Sequence, residues 1–336
     1  MQPPISQERG SDFAQLSRWI KQTGLLHRRY GYYVARIGIN VLLLGVGVAA
    51  FVVLGDSWWQ LFVAVFAAGV LTQFAFIGHD AGHRQIFTSR LGNDWVGYAH
   101  SAVTGISFGW WTGKHTRHHA NPNHEGEDPD IEITALAFSR AQSLTKRGWA
   151  RWVTKHQAPL FFPLLLLEAV VLRVVSVRTV LRREVKSVGL EAGLLFGHVV
   201  VYLAAVFLVL SPGKAVLFIL VHQGLTGVYL GCSFAPNHKG MPILAADVKL
   251  DFLRKQVLTS RDVSGGRWVD ILLGGLNYQI EHHLFPSMPS PNLRRAQPIV
   301  RDFCARHGVS YSQTGLLDSY AQVLRHLHDA GAPLRA

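Results

Sequence analysis

Four apolar segments, each about 20 residues long and so able to cross a hydrocarbon core of about 30 Å, constrain this chain more than any other feature. They run roughly from Tyr33 to Leu54, Trp58 to Ile77, Ala192 to Leu210 and Ala215 to Cys232. Gly55-Asp56-Ser57 closes the first pair into a hairpin and Ser211-Pro212-Gly213 closes the second. Turns this short leave almost no chain on their side of a membrane, so both ends and the large middle segment share the other side. The segments therefore predict an all-α integral membrane protein: four transmembrane helices in two hairpins, with interfacial helices and a helical cap on one face.

Charge gives that face a name. The 336 residues are 49% hydrophobic and only 16% charged, with a formal net charge of +12, a balance unusual for a soluble enzyme. Of 33 Lys and Arg, only Lys214 falls in a turn assigned to the outside. Lys and Arg concentrate in cytoplasmic loops, so the cap should be cytosolic and the positive charge is mainly a topology signal. The charges are dispersed among apolar segments and no nucleic-acid motif accompanies them, which excludes a nucleic-acid partner. A fifth apolar run, 158–177, holds Pro159, Pro163, Glu168 and Arg173 and leads into VRTVLRREVK. It reads as interfacial or re-entrant, because a crossing there would put later histidines on the wrong side.

The first thirty residues carry no cleavable signal pattern and form an N-terminal cytosolic segment, 1–30. The membrane domain spans 31–311, and 312–336 form a C-terminal helix and tail. Two amphipathic patterns, Leu293/Ala296/Val300/Phe303 and Leu316/Tyr320/Val323/Leu327, belong to the cap. Two cysteines, Cys232 and Cys304, imply no disulfide framework and fit a reducing compartment. A bacterial plasma membrane is the expected location.

Seventeen histidines are many for this length, and they are unevenly placed. HDAGH covers 79–83, HTRHH 115–119 and QIEHH 279–283, with His238 in APNHKG. Residues four apart on a helix share a face, so His79 and His83 can point at one metal or two neighbours. His115 shares a face with His118 and His119, which themselves diverge by about 100° and can serve two ions. Gln279 stands before His282 and His283 in the same geometry. HDAGH begins where the second span ends and His238 follows six residues after the fourth, so all four groups converge on one surface. Imidazole-rich sites suit iron, zinc, copper or nickel, and eight histidines are too many for one ion. Two ions with four each would leave room for water, Gln279 or Asn237, and for dioxygen.

Other histidines read as packed or solvated residues: His27, His100, His124, His156, His198, His307, His326 and His328. His222, inside an apolar span beside Gln223, is costly there and is a candidate cavity lining. Asp80 and Glu281, next to the clustered histidines, are candidates to fix imidazole tautomers. Phe108, Trp110 and Trp111, in the segment leading to HTRHH, are candidates for the wall of an apolar tunnel.

HDAGH, HTRHH and QIEHH, in this order and with hairpins between them, resemble the three histidine boxes of the membrane fatty acid desaturases, over about residues 30–311. The resemblance implies a four-span enzyme with two iron ions, using O2 and two electrons to desaturate a fatty acyl chain. It makes His79, His83, His115, His118, His119, His282 and His283 iron ligands, with His238 and, through water, Asn237 as the extra ligand site. Gln279 in the first position of the third box resembles the front-end subgroup, which inserts bonds on the carboxyl side of an existing one. Many eukaryotic members of that subgroup carry a fused haem domain with the signature HPGG, which this sequence lacks. A separate ferredoxin-like electron donor is therefore expected, along with membrane lipid and an acyl substrate linked to CoA, carrier protein or lipid.

Three other readings compete. HDAGH is similar to the H-E-x-x-H of zinc proteases, but its Asp is one methylene shorter and the reading leaves the other two boxes unexplained. A metal transporter should bind at the bilayer midplane, whereas these clusters lie at span ends. A lipid hydroxylase, ketolase or acetylenase on the same di-iron scaffold shares the boxes, and its product alone separates it.

Overall fold

The computed structural model describes residues 11–335, so positions 1–10 of the N-terminal segment and 336 of the tail lie outside the described residues. The chain begins with α1 (Asp12–Gln22), an amphipathic helix that the sequence reading did not separate from the polar N-terminus. Ser11 caps it, and Leu16 and Ile20 are buried. Two long apolar helices follow, α2 (Tyr30–Leu54) and α3 (Gln60–Gly82). Both match expected spans, but α3 runs five residues past Ile77 and carries most of HDAGH inside the helix.

After α3 the chain folds back twice. α4 (Arg90–Thr104) returns along α3 and ends at Gly105, whose φ of 69° suits a residue without Cβ. α5 (Phe108–Ala120), capped by Ser107, climbs again and carries HTRHH. Short amphipathic helices α6 (Arg140–Thr145) and α7 (Gly148–Lys155) lead into the fifth apolar run. That run is two helices, α8 (Gln157–Leu165) and α9 (Glu168–Leu181), bent by 70°. Phe161 of α8 packs near Ala235, whereas Ser176 of α9 accepts from the Ser107 N–H.

The second hairpin is α10 (Val188–Val209) and α11 (Pro212–His238). α11 runs on past Cys232 to include His238. The two hairpin turns meet: Ser211 donates backbone and hydroxyl hydrogen bonds to Asp56, which also pairs with Lys214 at 3.1 Å. Opposite this end, α12 (Phe252–Leu258), strand β1 (Asp262–Ser264), α13 (Gly266–Leu272), α14 (Gln279–Leu284) and α15 (Ser290–Arg306) build the cap. Strand β2 (Gln313–Gly315) pairs in parallel with β1, and α16 (Leu316–Ala330) closes the fold.

Burial follows this plan. α2 and α10 expose Val34, Leu42, Val53, Phe196 and Leu208, as helices facing lipid should. α3 and α11 lie between them and are more buried. The cap has its own core, in which Leu293, Ala296, Val300 and Phe303 of α15 meet Leu16 and Ile20, the stripe that the spacing predicts.

Candidate metal centre

Four elements that end at one level deliver the clustered histidines. α3 stops at Gly82, where a Cβ would lie 2.4 Å from Trp111 Cζ3. The missing side chain lets α5 approach, and it brings His115 against His79 and His83 with ring centroids 5.0 and 4.8 Å apart. α14 is only six residues long, and Asp262 accepts from the Ile280 N–H at 3.0 Å to cap its start. All six of its residues are buried. α11 supplies His238 at its last position.

The rings form two adjoining groups. His79, His83, His115 and His282 place ligand nitrogens within 4.8 Å of one another, and so do His118, His238 and His283. His119 joins the two, with Nε2 3.1 Å from His115 Nε2 and its ring stacked on His283 at 4.0 Å. The His118 and His238 Nε2 atoms are 3.3 Å apart. Metal–nitrogen bonds of about 2.1 Å set neighbouring ligand nitrogens about 3 Å apart, so these spacings fit coordination.

Unpaired atoms point the same way. The buried nitrogens His79 Nε2, His83 Nε2, His119 Nδ1, both of His282 and His283 Nε2 have no hydrogen-bond partner. Orphaned buried polar groups are costly and rare, and here they gather on the clustered rings. Burial, and secondarily the neighbouring imidazoles, push His83, His115, His119, His282 and His283 well below the usual histidine pKa. Neutral imidazole is the form that binds a metal.

The remaining ring nitrogens are held from behind by groups that spacing did not reveal. Asp128 accepts from His118 Nδ1 at 3.0 Å, Gln256 Oε1 lies 2.8 Å from His283 Nδ1, and the Thr259 carbonyl accepts from His238 Nδ1 at 3.0 Å. They stand 10, 27 and 21 residues from their histidines, too far for a local pattern to expose. Gln256 also donates to the His119 carbonyl.

The other candidate residues divide. Asp80 Oδ1 is 3.3 Å from His79 Nδ1, and its other oxygen meets Tyr33 and Ser290. Glu281 turns away from the rings, since the helix that aims His282 inward aims its neighbour elsewhere. Its carboxyl meets the Tyr311 hydroxyl and Asp262, and burial first, then Asp262, pushes its pKa well above the carboxylate range. Gln279 Nε2 lies 2.8 Å from His238 Nε2, and the Asn237 amide donates to Gln279 at 3.3 Å. Both amides therefore stand at the second group of rings.

Trp111 stacks on His115 at 4.5 Å. Phe108 packs instead on Tyr98, Trp110 on Val180, Val185 and Leu195, and His222 accepts or donates at the Tyr202 hydroxyl, 2.9 Å away. His222 precedes His238 by four and a half turns of α11, about 24 Å of helix. Of the histidines read as structural, His100, His124 and His198 bond backbone carbonyls and His307 stacks on Phe303.

Residues 56–315 match the family described as fatty acid desaturase. The chain is 29% identical to the acyl-lipid (9-3)-desaturase of Physcomitrium patens over 95% of its own length and 62% of that protein's. It is 27% identical to the Delta(8)-fatty-acid desaturase of Helianthus annuus, covering 96% of this chain and 74% of the other. The Delta(5) fatty acid desaturase fat-4 of Caenorhabditis elegans is 26% identical over 94% and 73%. The chain thus spans less than two thirds of the first of these relatives. Their sources lend no support to a bacterial membrane.

Proposed function

The chain belongs to the fatty acid desaturase family, and from this premise we propose that it inserts a double bond into a long fatty acyl chain at a histidine-held di-iron centre. The observation that carries the reading is the convergence of eight imidazoles, with six unpartnered buried nitrogens among them, from four sequence-distant elements. Bound iron would supply the oxygen chemistry that an unactivated methylene requires, since side-chain acids and bases cannot attack it.

The protein's own work is to hold and orient. His79, His83, His115 and His282 would hold one ion and His118, His238 and His283 the other, with His119 at their junction. Asp128, Gln256 and the Thr259 carbonyl fix three tautomers so that Nε2 faces the metal. Asp80 does the same for His79. Gln279 and Asn237 offer amides where the second ion has one imidazole fewer than the first. Burial of His79, His118, His238, His282 and His283 limits access of bulk water to the reacting centre.

Trp111, flat against His115, is assigned the wall of the acyl path, and the other aromatic candidates pack behind it. Relatives named for Delta(8) and Delta(5) desaturation, together with Gln279 in the third box, favour a bond near the carboxyl end. O2 and a separate electron carrier would complete the turnover. The concentration of Lys and Arg at the site end supports a cytoplasmic orientation.

Expression in a host with a matched ferredoxin system, followed by mass spectrometry of its fatty acids with double bonds located by derivatisation, tests the reading. A new double bond is expected. A hydroxy or keto product would replace the desaturase assignment with its sister chemistry, and purified protein holding one zinc and no iron would end the di-iron reading.

A further inference from the structure

The end of α11 poses a problem common to helices: its last carbonyls lack intrahelical partners and carry the negative end of the helix dipole. Pro236 adds to it, because it has no N–H to offer the Cys232 carbonyl one turn back. This is also the turn that presents Asn237 and His238.

The Ala235 carbonyl accepts from the Lys239 N–H and the His238 carbonyl from the Met241 N–H at 3.1 Å, and the rest of the turn is met from elsewhere in the fold. The Tyr320 hydroxyl of α16 donates to the Cys232 carbonyl at 2.6 Å. Arg261 donates Nε to the Pro236 carbonyl at 2.9 Å, Nη2 to the same oxygen and to the Lys239 carbonyl at 2.9 Å, and its backbone N–H to the Asn237 carbonyl at 2.8 Å. Asn123 donates to the His238 carbonyl at 3.0 Å. Gln322 accepts from Arg261 Nη1 at 2.5 Å and so ties α16 to the same guanidinium.

Arg261 is 0% exposed. Among the described residues its side-chain hydrogen bonds all go to carbonyl and amide oxygens, none to a carboxylate. A buried cation needs compensation, and the end of a 27-residue helix supplies it. One residue therefore does what a C-terminal cap does elsewhere, with a rigid planar fork that Lys cannot reproduce.

We infer that Arg261 is a positioning residue for the metal held by His118, His238 and His283: by capping α11 it fixes His238 so that its Nε2 meets those two rings. The inference rests on the reading of the two ring groups as metal sites. It also makes α16, through Tyr320 and Gln322, part of the support for that centre. His79, His83, His115 and His282 of the other group lie on α3, α5 and α14, to which the Arg261 side chain donates no hydrogen bond among the described residues.

The test is selective metal loss. Wild type, Arg261→Met, Arg261→Lys and Tyr320→Phe are purified, iron per chain is measured, and each iron is titrated with a competing chelator while 57Fe Mössbauer spectra follow the two sites. Wild type should hold two irons. Arg261→Met should hold about one, the other weakened about 10- to 100-fold, as loss of a ligand's support typically does. Arg261→Lys should fall between, and Tyr320→Phe should weaken the same iron less.

Wild-type affinity for both irons in Arg261→Met, or equal weakening of both in every variant, would overturn the inference. So would a lower melting temperature with both iron affinities unchanged, since that is a stability role alone. If Arg261→Met does not fold, Arg261→Lys and Tyr320→Phe decide by the same criterion of selective loss. A wild type that binds no iron would instead overturn the metal reading on which the inference rests.

Discussion

A single imidazole has different duties at its two nitrogens, and the site separates them. His118 turns Nε2 to the ring cluster while Asp128 accepts from Nδ1. Asp128→Asn keeps the shape but removes the anionic acceptor, so iron affinity at that group should fall about 10- to 100-fold, measured by chelator competition. His119→Ala and His283→Ala remove rings at the junction of the two groups. Either should abolish product while leaving the protein membrane-inserted, and full activity in either would refute the di-iron assignment. The histidines were legible from spacing because each box packs its imidazoles within about one helical turn. Asp128, Gln256 and Thr259 were not, because the groups they hold lie well outside that range. Glu281 shows the converse, since adjacency in sequence put it beside two clustered histidines and the helix turned it toward Tyr311 and Asp262.

At the scale of elements, close approach decides more than apolarity. The break between α8 and α9 lies on Gly227 of α11, where a Cβ would stand 2.3 Å from the Leu165 carbonyl oxygen. Gly227→Ala must push a backbone atom, so a loss of about 1–3 kcal/mol is expected, read as a lower melting temperature in detergent. An unchanged melting temperature would mean that the pair does not rest on α11. The 158–177 run illustrates what composition leaves open. Its hydropathy suits a span, but it is divided into two helices bent by 70°, and α9 meets Ser107 at the start of α5. The helices α15 and α16 were legible from their apolar stripes. α1 was not, since Leu16 and Ile20 show their purpose only once α15 lies against them.

For the whole molecule, stability should depend on pH through the site. His282 and His283, each 1% exposed, are held well below the ordinary histidine pKa by burial and then by neighbouring imidazoles. An unfolded chain takes up protons on both rings as pH falls through about 6.5 and the folded chain does not. Their contribution is therefore complete above about pH 6.5 and declines below it, by about 1.4 kcal/mol per ring per pH unit. Melting of metal-free protein between pH 8 and pH 5 checks this, and constant stability across that range would contradict it. The joined hairpin turns make a second expectation. Cysteine placed at Ser57 should react with an impermeant thiol reagent from outside intact cells, and cysteine placed at Arg301 of α15 only after lysis. The reverse result would invert the proposed orientation.

By itself the sequence determined the class of molecule, the four spans, their pairing into hairpins and the residues of the three boxes. These follow from local rules: hydrocarbon thickness sets span length, short turns set pairing, and helical periodicity sets which side chains share a face. Tertiary structure alone decided how the rings divide into two groups, that His119 joins them, and that Arg261 and Tyr320 close the end of α11. Those outcomes depend on contacts between segments tens to hundreds of residues apart. No local period records such contacts, because each partner satisfies a need, an orphaned carbonyl or a free ring nitrogen, that arises only when the helices have packed.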